Sequence, residues 1–279
     1  TGHGFTLNAA GARLRGITFT SSVAVRENSG THDLPRFVNV VAGTVDACVF
    51  RDVKITGNKY GGFAPVRLYV DGVIDNCLFT NISSSVEYPH APHGTVYATG
   101  GVISNSQFVA CNTCQAPLVM AGGVTTVYVE DCLFRNTITP GGGAGVNCGA
   151  IYATGGSTTF PRAFIRRTAV ANCKADLAGV AYNGGGNGLK PMIFEDCVFT
   201  NNTSGVGVVA GGERANITFD RCLIADNVGS SHGVTAGSNK GEFIFRNCLI
   251  RGNCGKSTAG VVSKSDVYCG VQFENCTVT

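Results

Sequence analysis

Thirteen cysteines in 279 residues are the first chemistry this chain offers. Thiols ligate metals, pair as disulfides or attack electrophiles, and their setting decides which. Cys48, Cys77, Cys132, Cys197, Cys222, Cys248 and Cys276 share one setting, as in Ile74-Asp-Asn-Cys-Leu-Phe79 and Val129-Glu-Asp-Cys-Leu-Phe134. A second constellation is Arg67 with Asp71, and with His93 one repeat further on. Base, acid and cation of this kind are what proton abstraction next to a carboxylate needs. A third is Tyr69, Tyr97 and Tyr152, with Arg67, Asp71, Thr95 and Thr99 around them. Aromatic rings flanked by polar groups on a sheet face can hold sugar rings, and they are also ordinary strand-surface residues.

The elements that must position these residues follow from the repetition itself. The cysteine setting returns with anchors at 17, 48, 77, 106, 132, 168, 197, 222, 248 and 276, the anchor being Ser106 or Thr168 in two copies and Ile17 in a worn first one. The steps are 31, 29, 29, 26, 36, 29, 25, 26 and 28, a mean of about 29 residues, which marks a solenoid. The anchor stretch is short, rich in Val, Ile and Phe, and bounded by Asn, Asp and Gly, so it is strand-like. Alternation is clean on both sides but slips by one residue between them, as from Val127 and Val129 to Cys132 and Phe134. A period-2 pattern slips only at a bend or bulge. The slip falls on Gly16, Ala47, Asn76, Asn105, Asp131, Arg167, Asp196, Arg221, Asn247 or Asn275, mostly types that accept a left-handed backbone.

A second stretch fills the rest of each unit, as in Val66-Arg-Leu-Tyr-Val-Asp-Gly72, Thr95-Val-Tyr-Ala-Thr-Gly100 and Ala150-Ile-Tyr-Ala-Thr-Gly155. Three short strands per turn with no helical segment predict an all-β fold, a right-handed parallel β-helix of nine to ten coils. Leucine-rich repeats have a similar period, but their Leu-x-x-Leu-x-Leu ladder is absent. The repeat runs end to end, so residues 1–279 are expected to form one domain. No polar cap is visible at either end, so the domain is expected to be a segment of a longer chain.

Composition narrows the partners. Net charge is only +3, which gives no argument for nucleic acid or an anionic membrane. No apolar run is long enough to span a bilayer, and no signal peptide opens the chain. Gly is frequent at 39 and Trp is absent, which suits a narrow stacked interior. Gly141–Gly145 is a glycine-rich loop with no phosphate-binding Lys after it, so it is not read as a nucleotide site.

On this frame the anchor thiols form one inward column. Thiols along a line fill a core and do not surround a tetrahedral metal, so no metal site is expected. Of the other six cysteines, Cys114 and Cys148 fall on neighbouring coils, and Cys254 and Cys269 flank one loop. Either pair is a candidate disulfide, which would imply an oxidising compartment. Cys111-x-x-Cys114 has no second pair to complete a zinc set.

The residues after the anchors, Val49, Leu78, Gln107, Leu133, Ala169, Val198, Leu223 and Leu249, should face outward as an aliphatic stripe. Such a patch marks a packing partner, unless long loops fold over it. A second outward column is expected on the other strand: Tyr69, Tyr97, Val119, Tyr152, Ala181, Val209, Thr235 and Val262.

With its Asn-Cys-x-Phe-x-Asn/Asp coils, the chain resembles the pectin-lyase-like superfamily of right-handed β-helices over essentially its whole length. More faintly, it resembles autotransporter-type repeats, the polymorphic membrane proteins of chlamydial surfaces, with their Gly-Gly-Ala-Ile/Leu/Val and Phe-x-x-Asn repeats. Phe199-Thr-Asn-Asn202 fits the second pattern, and Cys148-Gly-Ala-Ile151 fits the first apart from its leading Gly. Most coils instead read Phe-x-Asn, as in Phe79-Thr-Asn81. The first resemblance implies polysaccharide lyases, polygalacturonase-type hydrolases or pectin esterases. The Asn-Thr-Asp, Asp-Asp, Gly-His-Gly and Arg-Ile-Lys motifs of polygalacturonases are absent. A calcium-dependent lyase would need clustered carboxylates with a base, and Arg67, Asp71 and His93 are the best such set.

The expectation is therefore a non-enzymatic domain outside the cell or on its surface: an adhesin, a passenger or a structural unit. It needs no cofactor, and its partner is a glycan or a protein chain along the stripe. The alternative is a carbohydrate-active enzyme with a groove over Tyr69, Tyr97 and Tyr152, calcium entering only if it is a lyase. Ice binding has no regular Thr-x-Thr array to support it.

Overall fold

The computed structural model describes residues 4–25, 37–57, 64–84, 94–113, 115–121, 125–139, 148–154, 162–183, 191–211, 215–230, 235–237, 241–255, 262–264 and 270–279. They form a parallel β-solenoid with turns of about 29 residues and, among the described residues, no helix. No described helix could therefore cross a membrane. One 10-stranded sheet carries the segments that follow the anchors, from Thr18–Phe19 to Thr277–Val278. A 17-stranded sheet carries both the second stretch and the segment before each anchor.

The corners stand where the alternation slips. Ala47, Asn76, Asn105, Asp131, Arg167, Asp196, Arg221, Asn247 and Asn275 have φ between 46 and 54°, and Gly16 has 67°. The left-handed turn rotates the next side chain, so Val129 and Cys132 both point into the core although they are three apart. The corner N–H keeps its ladder bond across coils, as from Asn76 to the Ser104 carbonyl (3.1 Å), so the bend leaves no orphan donor there.

A second corner follows five residues later, at Asp52, Asn81, Ala110, Asn136, Asn172, Asn201, Asp226 and Gly252 (φ 51 to 60°). Beyond it come short strands such as Thr203–Ser204 and Val228–Gly229, which form the 5-stranded and 3-stranded sheets. Among the described residues, eight turns thus have a strand beyond the three expected.

The core is a set of stacked columns. Phe19, Phe50, Phe79, Phe108 and Phe134 stack at 4.5 to 4.9 Å on the strands after the first corner. Phe194, Phe219, Phe245 and Phe273 stack at 4.8 to 5.3 Å on the strands before it. The ring ladder changes strand between the two halves, and the vacated column is aliphatic in each: Val45, Ile74, Ile103 and Val129 first, then Ile224 and Ile250. At the changeover one coil carries the smaller pair Ile165 and Val170. The next carries two rings, Phe194 and Phe199, set edge to face at 5.2 Å. The small pair beside the large one keeps the interior filled, as close packing requires.

The anchor thiols lie in this core, as expected, with Cys48, Cys77, Cys132, Cys197, Cys222 and Cys248 all buried. They do more than fill space. Each donates to the carbonyl two residues back, and these six also reach a carbonyl of the preceding coil, as Cys77 does to Asp75 (3.2 Å) and Val45 (3.6 Å). Ser106 plays the same part, donating to the Ser104 carbonyl (2.7 Å) and accepting from the Cys77 N–H (3.1 Å).

The column after the second corner turns polar in the later coils. Asn202, Asn227 and Asn253 form an amide ladder: Asn202 and Asn227 each donate to the next Oδ1 (3.0 and 2.9 Å) and to a core carbonyl, Val170 or Phe199 (2.9 Å each). Asn202 and Asn227 are fully buried and fully satisfied, as such groups must be.

Candidate functional site

Strand pairing decides which side chains share a face. Val96 pairs with Val66, and Val102 with Val73, so residues 66–73 hold one residue more than 96–102. Aligning on the glycines hides this extra residue. Tyr97 therefore lies beside Arg67, not beside Tyr69. Further along, Val119 pairs with Tyr152, and Tyr152 with Tyr182. Ala181, Val209, Thr235 and Val262 belong instead to the column of Ile151, and the first two of them are buried in the core. The expected outward column is thus three registers: Tyr69 by itself, Tyr97 with Val119 and Tyr152, and Ala181 with Val209, Thr235 and Val262.

The corrected register builds a small cluster from Arg67, Tyr69 and Tyr97. The strand Val66–Asp75 supplies the first two on one outward face, and Val96–Ala98 supplies the third. The Arg67 guanidinium carbon lies 4.8 Å from the Tyr69 ring centroid and 5.4 Å from that of Tyr97, so both rings meet the cation. No carboxylate among the described residues pairs with Arg67, although Asp71 is exposed further along the same strand, level with Ala42. Arg67 Nε and Asn39 Oδ1 are buried without partners on neighbouring coils whose strands pair at these two residues. His93 lies outside the described residues.

Tyr152 is elsewhere in character. It is 8% exposed and packs in a second apolar cluster with Ala116, Val119, Cys148 and Ala178. The segments entering the strands lie over it, and they approach closely because Gly149 has no side chain: a Cβ there would collide with the Gly179 carbonyl. Tyr97 borders this cluster, so among the described residues the Arg67–Tyr69 end of the tyrosine strand is the open one.

The aliphatic stripe has the register expected of it. Val49, Leu78, Gln107, Leu133, Ala169, Val198, Leu223 and Leu249 pair in sequence along the 10-stranded sheet. Leu249 and Val198 are 40% and 37% exposed, Gln107 is exposed and the rest are half-buried, so the described residues leave the stripe open.

Beside the stripe runs a ridge of corner charges on the residues where the alternation slips. Asp131, Arg167, Asp196 and Arg221 stand on successive coils with alternating sign. Arg167 meets Asp131, and Arg221 meets Asp196, each at 2.8 Å. Arg166–Glu195 (2.8 Å) and Arg246–Glu274 (2.9 Å) repeat the pattern one position earlier. Hydrogen bonding to Arg167 holds the Asp131 carboxyl below its usual range, and Arg221 does the same to Asp196. Acids committed to arginines in this way are not a calcium shell. No group of three metal-ligating side chains occurs among the described residues.

Cysteine chemistry is turned inward as well. Burial pushes the Cys77, Cys111 and Cys132 thiols up to about 12, far from the thiolate a nucleophile or metal ligand needs. Of the candidate disulfide pairs, Cys148 is buried in the second cluster and Cys254 is exposed, while Cys114 and Cys269 lie outside the described residues.

Compared with known proteins, the chain matches no family model and no curated protein. Its placement among parallel β-solenoids rests on its own geometry.

Proposed function

We infer that this chain is a non-enzymatic β-helix repeat domain working outside the cell or on its surface, as an adhesin, a passenger or a structural unit of a surface assembly. The observation that supports this best is the open aliphatic stripe from Val49 to Leu249, level from coil to coil. An exposed stripe of this kind suits an elongated protein partner. The neighbouring ridge satisfies its own charges and leaves binding to apolar contact.

The test is a paired substitution, Leu133→Lys with Leu223→Lys. Both positions are half-buried and outward, so the coil should fold and melt as before while association with cell-surface material falls at least tenfold. Unchanged association would refute the stripe.

A second reading is a carbohydrate-active enzyme of the pectin-lyase-like kind. The cluster of Arg67, Tyr69 and Tyr97 favours it, because a cation between two rings is a surface on which an acidic sugar can stack. A panel of acidic and neutral polysaccharides, with and without calcium, separates the two. Unsaturated uronide or new reducing ends, abolished by Arg67→Ala, would make this an enzyme and overturn the first reading.

A further inference from the structure

Five asparagines carry the acceptor pattern Asn-x-Ser/Thr: Asn81, Asn201, Asn202, Asn216 and Asn275. The fold sorts them. Asn202 is fully buried, and its amide donates to Val170 and Asn227 inside the core. Asn81 is exposed, but its amide is held by Asp52 at 2.7 Å. Asn216 is half-buried in the strand Asn216–Asp220, between Pro191 and Glu242 on the adjoining coils. Asn275 is exposed in the final coil. Asn201 is exposed at a second corner with φ 56°, and its side-chain amide has no hydrogen bond among the described residues. Its corner neighbours on either side, Asn172 and Asp226, are exposed too, so the described residues leave the space outside the second corner open.

We propose that Asn201 is an acceptor for N-linked glycan, and that burial of Asn202 decides between the two overlapping patterns in Asn201-Asn-Thr-Ser204. The proposal rests on the extracellular reading above, since only an exported chain meets the donor. In the transfer, Asn201 Nδ2 attacks the anomeric carbon of a glycan carried on a polyprenyl diphosphate. The nitrogen–carbon bond forms, the carbon–oxygen bond to the diphosphate breaks, and the diphosphate leaves with the electron pair. The amide nitrogen loses one proton, and nothing is oxidised or reduced. A membrane transferase of the secretory route supplies catalyst and donor. Transfer can occur on the unfolded chain, but a glycan on Asn202 would replace an amide hydrogen that the core ladder needs and would stop the coil from closing. A glycan on Asn201 projects from the second corner and costs the fold nothing.

The experiment secretes the chain, behind an added signal peptide, from a eukaryotic cell. The secreted protein is digested and the modified residue located by mass spectrometry. The expected result is glycan on Asn201 and none on Asn202. Asn201→Asp, which keeps a residue type that accepts the left-handed corner, should remove it with melting and secretion unchanged, Asn202 still bare. A bare Asn201 in the secreted protein, or glycan on Asn202 in a folded product, would overturn the proposal. Surface labelling of cells that make the chain naturally is read separately. An inaccessible chain there would overturn the extracellular reading, whereas an accessible chain with bare Asn201 would overturn the acceptor alone.

Discussion

Replacing Cys222 tests the inward column most directly. The residue is 2% exposed, and its thiol faces the carbonyls of Phe194 (3.5 Å) and Asp220 (3.4 Å). Cys222→Asp puts a carboxylate among acceptors with no cation in reach, so it must protonate or the coil must open. Holding a carboxyl of ordinary pKa near 3.9 neutral at pH 7 costs about 1.4 kcal/mol per unit, or about 4 kcal/mol in all. The sign follows from linkage. A carboxyl whose pKa is raised on folding binds its proton more tightly in the native state, so stability is retained below about pH 4 and falls as pH rises. The variant should therefore lie close to the parent at pH 4 and about 4 kcal/mol below it at pH 7. Cys222→Ser is the control. Ser106 already stands in this column, so a hydroxyl there should cost no more than about 1 kcal/mol. Urea unfolding at both pH values gives the difference, and hydrogen exchange shows whether the loss stays near coils 191–230, as nearest-neighbour coupling in a solenoid requires. A Cys222→Asp protein as stable as the parent at pH 7, or a loss independent of pH, would refute the inward assignment.

Three further outcomes follow from the same geometry. In native protein at pH 8, iodoacetamide should alkylate exposed Cys254 within minutes and leave Cys77, Cys111 and Cys132 untouched until denaturant is added. Because burial raises these thiols from 9.0 to about 12, their contribution is intact below pH 9 and lost between pH 9 and 12, so circular dichroism should show unfolding in that window. Asn227→Val strands the Asn202 N–H, whose acceptor is Asn227 Oδ1 at 2.9 Å, and should cost about 2 kcal/mol in urea melts; no loss would mean the ladder is not formed. Ala47→Asn should stabilise by up to about 1 kcal/mol, because Ala47 sits at φ 50° where asparagine is better tolerated, and a lower melting temperature would contradict the left-handed corner.

The first corner was legible because Asn, Asp and Gly recur there and because the side-chain alternation breaks at the same place. The second corner was harder to see. Its signal, Asn81, Asn136, Asn172 and Asn201 two residues beyond the inward Phe or its substitute, was present, but it bounds segments only two residues long with no alternation of their own. The amide ladder shared that fate: Asn202, Asn227 and Asn253 look like loop asparagines until stacking brings each amide to the next. The tyrosine strand was misread for a different reason. Glycines mark its end in the early coils, at Gly72 and Gly100, yet the coil of Arg67 holds one residue more, and only backbone pairing reveals which residue lies level with Tyr97.

Composition and period alone determined the solenoid, the inward thiols and the outward stripe, because each depends on alternation along a strand and on identical positions stacking from coil to coil. Tertiary structure decided what those patterns cannot carry. It set Arg67 between two tyrosines, buried Tyr152 under its entering segments and paired the ridge charges across coils. The physical reason is that a period specifies which positions repeat, while lateral register between coils depends on bulges and loop lengths that differ from one repeat to the next.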